Sequence, residues 1–253
     1  MLAIISPAKK LGKSKKTSFK LSEIPFPEES KKLISELRKF TPEDISELMN
    51  ISPKLAELNF KRYLEWNYPF DENNAGAALF MFNGDVYRSM NADDFSEQDI
   101  LFAQKHLRIL SGLYGILRPA DKIMPYRLEA GTKLKINGSK NLYDFWGNKI
   151  TKKLNEDLSA LKNKVIVNLA SNEYYKLIKP ENINGKILKI TFKQEKNGEY
   201  KVIAIHAKRA RGLMCNFIIK NKITKPEDLQ TFDYEQYNFN AGFSSDNEYV
   251  FTR

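Results

Sequence analysis

Residues 103–132 read AQKHLRILSGLYGILRPADKIMPYRLEAGT, and the class of fold turns on how 107–117, LRILSGLYGIL, is read. Ahead of it, Ser96-Glu97-Gln98-Asp99 is an N-cap followed by acids. A helix is therefore expected to about His106, with Ile100, Leu101, Ala103 and Leu107 on its buried side. The apolar density of 107–117 fits either a buried strand or a turn between two helices. Gly112 and Gly115 can make a tight turn, and Arg118 and Ala120 follow. This is roughly the order of a DNA-binding helix-hairpin-helix, whose backbone N–H groups meet a phosphate. The spacing departs from that motif, because two residues separate the glycines and Pro119 and Pro125 shorten any second helix. A strand through 108–113 is the alternative, and both readings stand.

Outward from this stretch, strands and helices mix. The apolar run 2–6 reads as a buried strand that stops at Ser6-Pro7. Helical spacing covers 28–39, while Thr41-Pro42-Glu43-Asp44 opens a helix over 42–49 and Ser52-Pro53 opens another over 53–66. Residues 75–82 are apolar and ambiguous. A helix is expected over 148–162, a fully buried strand over 165–169 (VIVNL) and a helix over 209–221. Alternation over 186–194 and 200–207 around Glu195–Glu199 predicts a hairpin, and a second short hairpin closes near Ser244–Asn247. There is no linker, repeat or low-complexity block. Without a steady βαβ rhythm the expectation is α+β: one compact domain over 1–253, a mixed sheet enclosed by helices, with a helix-hairpin-helix-like element.

The chain has 253 residues, 42% hydrophobic and 28% charged, enough to bury a sizeable core. No apolar run reaches the length of a membrane span, and MLAIISPAKK lacks the basic flank and cleavage site of a signal peptide. A soluble cytoplasmic protein with no membrane partner is expected. Cys215 is the one cysteine, in apolar RGLMCNFII, so it reads as a buried hydrophobe. His106 and His206 lie far apart without ligand spacing, so no metal site and no cofactor are expected. Lys plus Arg exceed Asp plus Glu by 41 to 31, a formal charge of +10. Such an excess either attracts a polyanion or forms a solvated coat. Lys9, Lys10, Lys13, Lys15, Lys16 and Lys20 form a basic arm with no acid among them.

Four clusters hold more Gly, Arg, Tyr and amide than a core requires. They are Asn83–Tyr87, Ser111–Gly115 running on to Thr132, Asn168–Tyr174, and Lys208–Gly212. Polar groups at strand ends are where sites accumulate. Each has a plainer reading as a turn, a cap or a structural ion pair. P-loop, G-x-G-x-x-G, G-x-S-x-G and H-E-x-x-H signatures are absent. For an enzyme acting on a nucleobase or other small polar substrate, Asp85, Tyr87, Arg127, Glu129, Asn168, Asn172, Glu173, Lys208 and Arg211 include the acids, bases and anion clamps. Glu129, Asn172 and Arg211 are expected to lie near one another.

In order, SPAKKL (6–11), LMNISPKLAELN (48–59), FNGDVY (82–87), residues 103–132, LYDFWGNKIT (142–151), VNLASNEYYK (167–176) and AKRARGLMCNFII (207–219) resemble the YaaA family of bacterial peroxide-stress proteins. The resemblance spans nearly the whole chain. It implies a mixed sheet enclosed by helices with a basic cleft, DNA binding through that cleft, and a role in lowering free iron and limiting DNA damage during peroxide exposure. The hairpin it implies is Leu110 to Ala120. On this reading Arg118, Lys122, Arg127, Lys208, Arg209 and Arg211 line a phosphate track, supplemented by Lys9 and the rest of the arm. Gly112 and Gly115 form the hairpin, and Tyr114, Tyr126 and Trp146 are available to stack on an exposed base.

Overall fold

The unbroken apolar run after Met1 becomes β1 (Leu2–Ile5), buried along its whole length as a strand covered on both faces must be. The computed structural model describes residues 1–12, 17, 19–71 and 74–253. Three helices follow, α1 (Pro27–Leu37), α2 (Pro42–Met49) and α3 (Pro53–Glu65), each entered through proline. Then come β2 (Gly76–Ala77), α4 (Ala78–Met81), α5 (Asp85–Met90) and α6 (Glu97–His106). The middle of the chain supplies β3 (Leu107–Ser111), β4 (Gly115–Leu117), β5 (Lys122–Ile123), α7 (Leu142–Trp146) and α8 (Lys149–Ser159). The remainder gives β6 (Val165–Asn168), α9 (Asn172–Tyr175), β7 (Lys186–Lys196), β8 (Glu199–Lys201), α10 (Ala204–Lys220), β9 (Asn238–Phe239) and β10 (Glu248–Thr252).

Local grammar accounts for the best-placed helix starts. Thr41 and Ser96 each cap through a reciprocal box with Asp44 and Asp99. The second half of the expected 186–207 hairpin is shorter than its alternation suggests: β8 ends at Lys201, and residues from Ala204 already belong to α10.

The main sheet has the order β4-β3-β1-β6-β7-β10-β9, with β8 paired to β7. This is the mixed sheet with helices that the sequence led us to expect. Its centre, β3-β1-β6-β7-β10, is parallel throughout. From β1 the chain goes to β3 on one side and later returns to β6 on the other. A parallel sheet wound this way opens a crevice at the carboxyl ends of the two strands where the direction reverses, here β1 and β6.

The helix-hairpin-helix expectation is corrected. Residues 107–117 form an antiparallel β-hairpin, pairing Ile109 with Leu117 and Ser111 with Gly115, and all eleven are buried. After Arg118 the chain turns into β5 rather than a second helix. The glycines serve packing. A Cβ on Gly112 would stand 2.2 Å from the Leu128 carbonyl oxygen, and one on Gly115 (φ +71°) would stand 2.7 Å from the Trp146 ring. Trp146 is itself fully buried, and its Nε1 donates to the Gly112 carbonyl at 2.9 Å. Tyr114 and Tyr126 are also buried, so none of the three aromatics is free to stack on a base. The physical reason is density: eleven apolar-rich residues beside a parallel strand gain more from burial than from presenting backbone to solvent.

Candidate functional site

The switch point places two serines against each other. Ser6 follows β1 and Ser171 follows β6; Ser6 Oγ donates to Ser171 Oγ at 3.1 Å, and the Ser171 N–H donates to Ser6 Oγ at 2.9 Å. The Tyr87 hydroxyl donates to the Ser6 carbonyl at 3.0 Å, which brings α5 to the same place. Burial pushes the Tyr87 phenol well up, with Tyr126, Cys215 and Tyr174 adding to it. Asn168, at the end of β6, accepts from the Ala170 N–H at 3.0 Å and so shapes the loop into α9.

The segment 126–131 comes over this crevice. Tyr126 OH lies 2.6 Å from Ser111 Oγ at the end of β3, and Tyr63 OH donates to the Arg127 carbonyl. Arg127 projects to Glu129, with Nη2 2.7 Å and Nε 3.1 Å from Oε1. The other carboxylate oxygen, Oε2, takes Lys9 Nζ at 2.7 Å. Glu129 thus holds a separate cation on each oxygen, one of them largely buried (Arg127, 15% exposed) and the other open (Lys9, 63%). Glu173 joins from α9: its Oε1 accepts the Gly131 N–H at 3.1 Å, and its carbonyl accepts Tyr143 OH at 3.0 Å. Between the two carboxylates, burial raises the Tyr174 phenol, and Tyr126, Glu173 and Glu129 raise it further.

Four sequence-distant segments therefore meet: 6–9, 85–87, 126–131 and 168–174. Asp85 opens α5 and pairs with Arg88 at 2.5 Å; Gly84 just before it is pressed on Ala8, whose Cβ would lie 3.0 Å from an added Cβ. Asn172 is the exposed first residue of α9. On α10, Gly212 packs on the Val86 carbonyl and Ser89 Oγ donates to the Arg209 carbonyl at 2.8 Å. Arg209 is engaged by Glu235. Among the described residues no ion pair or hydrogen bond engages the side chains of Lys208 and Arg211, and burial lowers the Arg211 pKa. Arg211 stands one helical turn before Cys215 on α10, and no ion pair joins it to Glu129. Of the expected trio, Glu129 and the segment of Asn172 share a site, whereas among the described residues no hydrogen bond or ion pair ties Arg211 to either.

Arg118 and Lys122 lie elsewhere. Arg118 binds the fully buried Asp121, Nε to Oδ1 at 3.0 Å, and donates to the Glu23 carbonyl at 2.9 Å, while Lys122 pairs with Glu23 at 2.5 Å. Burial raises the Asp121 carboxyl against the lowering effect of Arg118. Because β4 runs antiparallel to β3, its exit is at the opposite end of the sheet from the crevice. Lys13, Lys15 and Lys16 lie outside the described residues. Ser6, Ala8 and Tyr143 were not singled out from sequence; the one signal for Ser6 was that it ends a buried run, where strand-end polar groups collect.

The arrangement suits an anionic group: Lys9 can swing from Glu129, Arg127 offers a planar fork, and Glu129 is a base between them. Among the described residues no three His, Cys, Asp or Glu side chains are grouped to hold a metal ion, and no helix is long and apolar enough to cross a membrane.

Similarity to known proteins extends along the chain. A UPF0246 protein of Acaryochloris marina (strain MBIC 11017) is 50% identical over 253 residues, covering all of both chains. The family described as peroxide stress protein YaaA matches residues 1–242. The chain belongs to the YaaA peroxide-stress protein family.

Proposed function

We propose that the chain binds DNA at the strand-end site and limits iron-mediated oxidative damage through the DNA, by shielding it or assisting its repair. One observation carries this reading. The acid-free segment 9–20, with six lysines, starts at the site itself, where Lys9 rests on Glu129 beside Arg127. A polyanion drawn to the arm meets exchangeable cations at its base. The site lies at the carboxyl ends of two interior strands, where a nucleotide that has left the stack can reach in, so distorted or bubbled duplex is favoured over intact duplex.

The test is a fluorescence-anisotropy titration of duplex and bubbled DNA at several salt concentrations. Affinity falls steeply with salt, bubbled DNA binds more tightly, and Lys9→Ala lowers the salt slope by about one. No binding at low salt, or binding indifferent to salt and to Lys9, removes DNA as the partner.

A second reading, an enzyme acting on a nucleobase or other small polar substrate in the same cleft, is favoured by one feature. Glu129 and Glu173 converge with Arg127 and Tyr174, a set of residue types more exacting than phosphate binding needs. Turnover of a free nucleoside that Glu129→Gln abolishes would establish it.

A further inference from the structure

At the far end of the same sheet edge, two arginines converge on one carboxylate. Glu235 Oε1 accepts Arg209 Nε at 2.6 Å, and its Oε2 and carbonyl oxygen each accept Arg253 Nη1 at 3.3 Å. Arg253 is fixed from behind. Its guanidinium lies 4.6 Å from the Tyr237 ring centroid, and Nη2 is 3.3 Å from His206 Nδ1 and 3.5 Å from Gln194 Oε1. Arg209 is the open partner, with 61% of its side chain exposed against 19% for Arg253.

The carboxylate reaches this position on a costly backbone. Glu235 (φ 51°, ψ 39°) and Gln236 (φ 65°) are consecutive left-handed residues, and neither is glycine, asparagine or aspartate. Such a conformation persists where the surroundings hold it. Here the two guanidinium groups bind Glu235, and Asn238 Nδ2 donates to the Gln236 carbonyl at 3.0 Å. His206, Arg209, Glu235, Gln236 and Arg253 line a cavity of about 400 Å³, and His206 and Arg209 also border a neighbouring one of about 590 Å³ that reaches Arg88 and Ser89.

We infer that Arg209 and Arg253 form a clamp for a phosphate group, and that Glu235 is its resident stand-in, displaced when the ligand arrives. The two forked guanidinium groups carry more N–H donors than one carboxylate can satisfy. A tetrahedral phosphate brings an additional oxygen and more negative charge. On release of Glu235 the strained pair of residues can relax, which offsets part of the lost ion pairing.

The phosphate can belong to a small metabolite or to nucleic acid. Arg253 directly follows β10, three strands from β1 across the parallel sheet, about 14 Å at the usual strand spacing. A nucleic-acid strand seated by Lys9 would run along this edge to the clamp. That role rests on the DNA reading above, whereas the clamp itself does not.

The experiment uses the full chain, with pyrophosphate in calorimetry and a 5′-phosphorylated single-stranded oligonucleotide in anisotropy. Glu235→Gln keeps the shape and removes the competing charge, so pyrophosphate binds roughly tenfold more tightly. Arg209→Ala, at an exposed position, abolishes that gain when added to Glu235→Gln and weakens pyrophosphate binding by about tenfold on its own. Unchanged or weaker pyrophosphate binding by Glu235→Gln, or a gain that survives Arg209→Ala, overturns the clamp. The oligonucleotide separates the two sources of phosphate. If it gains with Glu235→Gln and loses with Lys9→Ala, both readings stand together. If pyrophosphate gains with Glu235→Gln while the oligonucleotide responds neither to it nor to Lys9→Ala, the clamp stands as a small-phosphate site and the DNA reading falls. If the oligonucleotide depends on Lys9 while neither ligand responds to Glu235, the clamp falls and the DNA reading stands.

Discussion

Replacing Gly112 by Ala tests whether the hairpin is packing or recognition. The added Cβ would stand 2.2 Å from the Leu128 carbonyl oxygen, 3.0 Å from its carbonyl carbon and 3.2 Å from that of Glu129. An ordinary carbon–oxygen contact is about 3.4 Å, so two backbone segments must part by roughly an ångström, and backbone cannot rotate away as a side chain can. The same movement strains the bond from Trp146 Nε1 to the Gly112 carbonyl, 2.9 Å long in the folded chain. Overpacking usually costs about 1–3 kcal/mol, and this site belongs at the top of that range, about 3 kcal/mol. At roughly 2–4 °C per kcal/mol for a chain of this size, the melting temperature falls by about 6–12 °C. Two controls separate crowding from conformation. Gly138→Ala, at φ +82° with nothing within 4 Å, costs about 1 kcal/mol through backbone strain alone. Gly12→Ala, whose nearest neighbour lies at 3.7 Å, is close to neutral. Urea unfolding of the three variants gives the ranking. A Gly112→Ala protein within 0.5 kcal/mol of the wild type would refute the packing argument.

Arg108 and Asp157 form a largely buried ion pair, Nε to Oδ2 at 2.6 Å, and Arg108→Ala leaves the carboxylate poorly compensated. The expected loss in urea unfolding is about 3 kcal/mol, the low end for a broken buried pair, because Lys153 remains 3.2 Å from Asp157; a loss under 1 kcal/mol would mean that Lys153 suffices. At Asp99, burial raises the carboxyl pKa, but hydrogen bonds from Lys222, Lys220 and Ser96 outweigh it and hold the group well below the usual carboxylate range. A depressed folded-state pKa contributes stability that is present above the unfolded value and lost as pH falls through the folded one. The stability gap between the wild type and Asp99→Asn should therefore close from about pH 4 downward, and a gap that stays constant to pH 2 would contradict the assignment.

The parts of this fold that were legible in the sequence are those written locally. Thr41-Pro42 and Ser96…Asp99 announce their helices because a cap is satisfied within four residues. LRILSGLYGIL resisted reading because its structure is decided by β1, which precedes it by a hundred residues, and by Trp146 and Leu128, which follow it. The parallel order of the sheet was hidden for the same reason: its crossovers are irregular, and only pairing between distant segments reveals the switch point. At the site, Glu129, Glu173 and Tyr87 stood out as polar residues in strand-end clusters, and the fold brings them together. Arg118 and Lys122 carried the same kind of signal but belong to a structural ion-pair group around Glu23 and Asp121. Glu235 and Gln236 carried no signal, since a left-handed backbone is not a preference of Glu or Gln and the arginines that bind Glu235 lie elsewhere in the sequence.

On the proposed function, nucleic acid is held at the carboxyl ends of β1 and β6. Amide hydrogen exchange on the full chain, with and without saturating bubbled DNA, reads this directly. New protection is expected at residues 6–12, 127–132 and 171–176, with no change at the buried 107–117 hairpin or around Arg118. Protection centred on Arg118 and Lys122, or none under conditions where anisotropy shows binding, would contradict it.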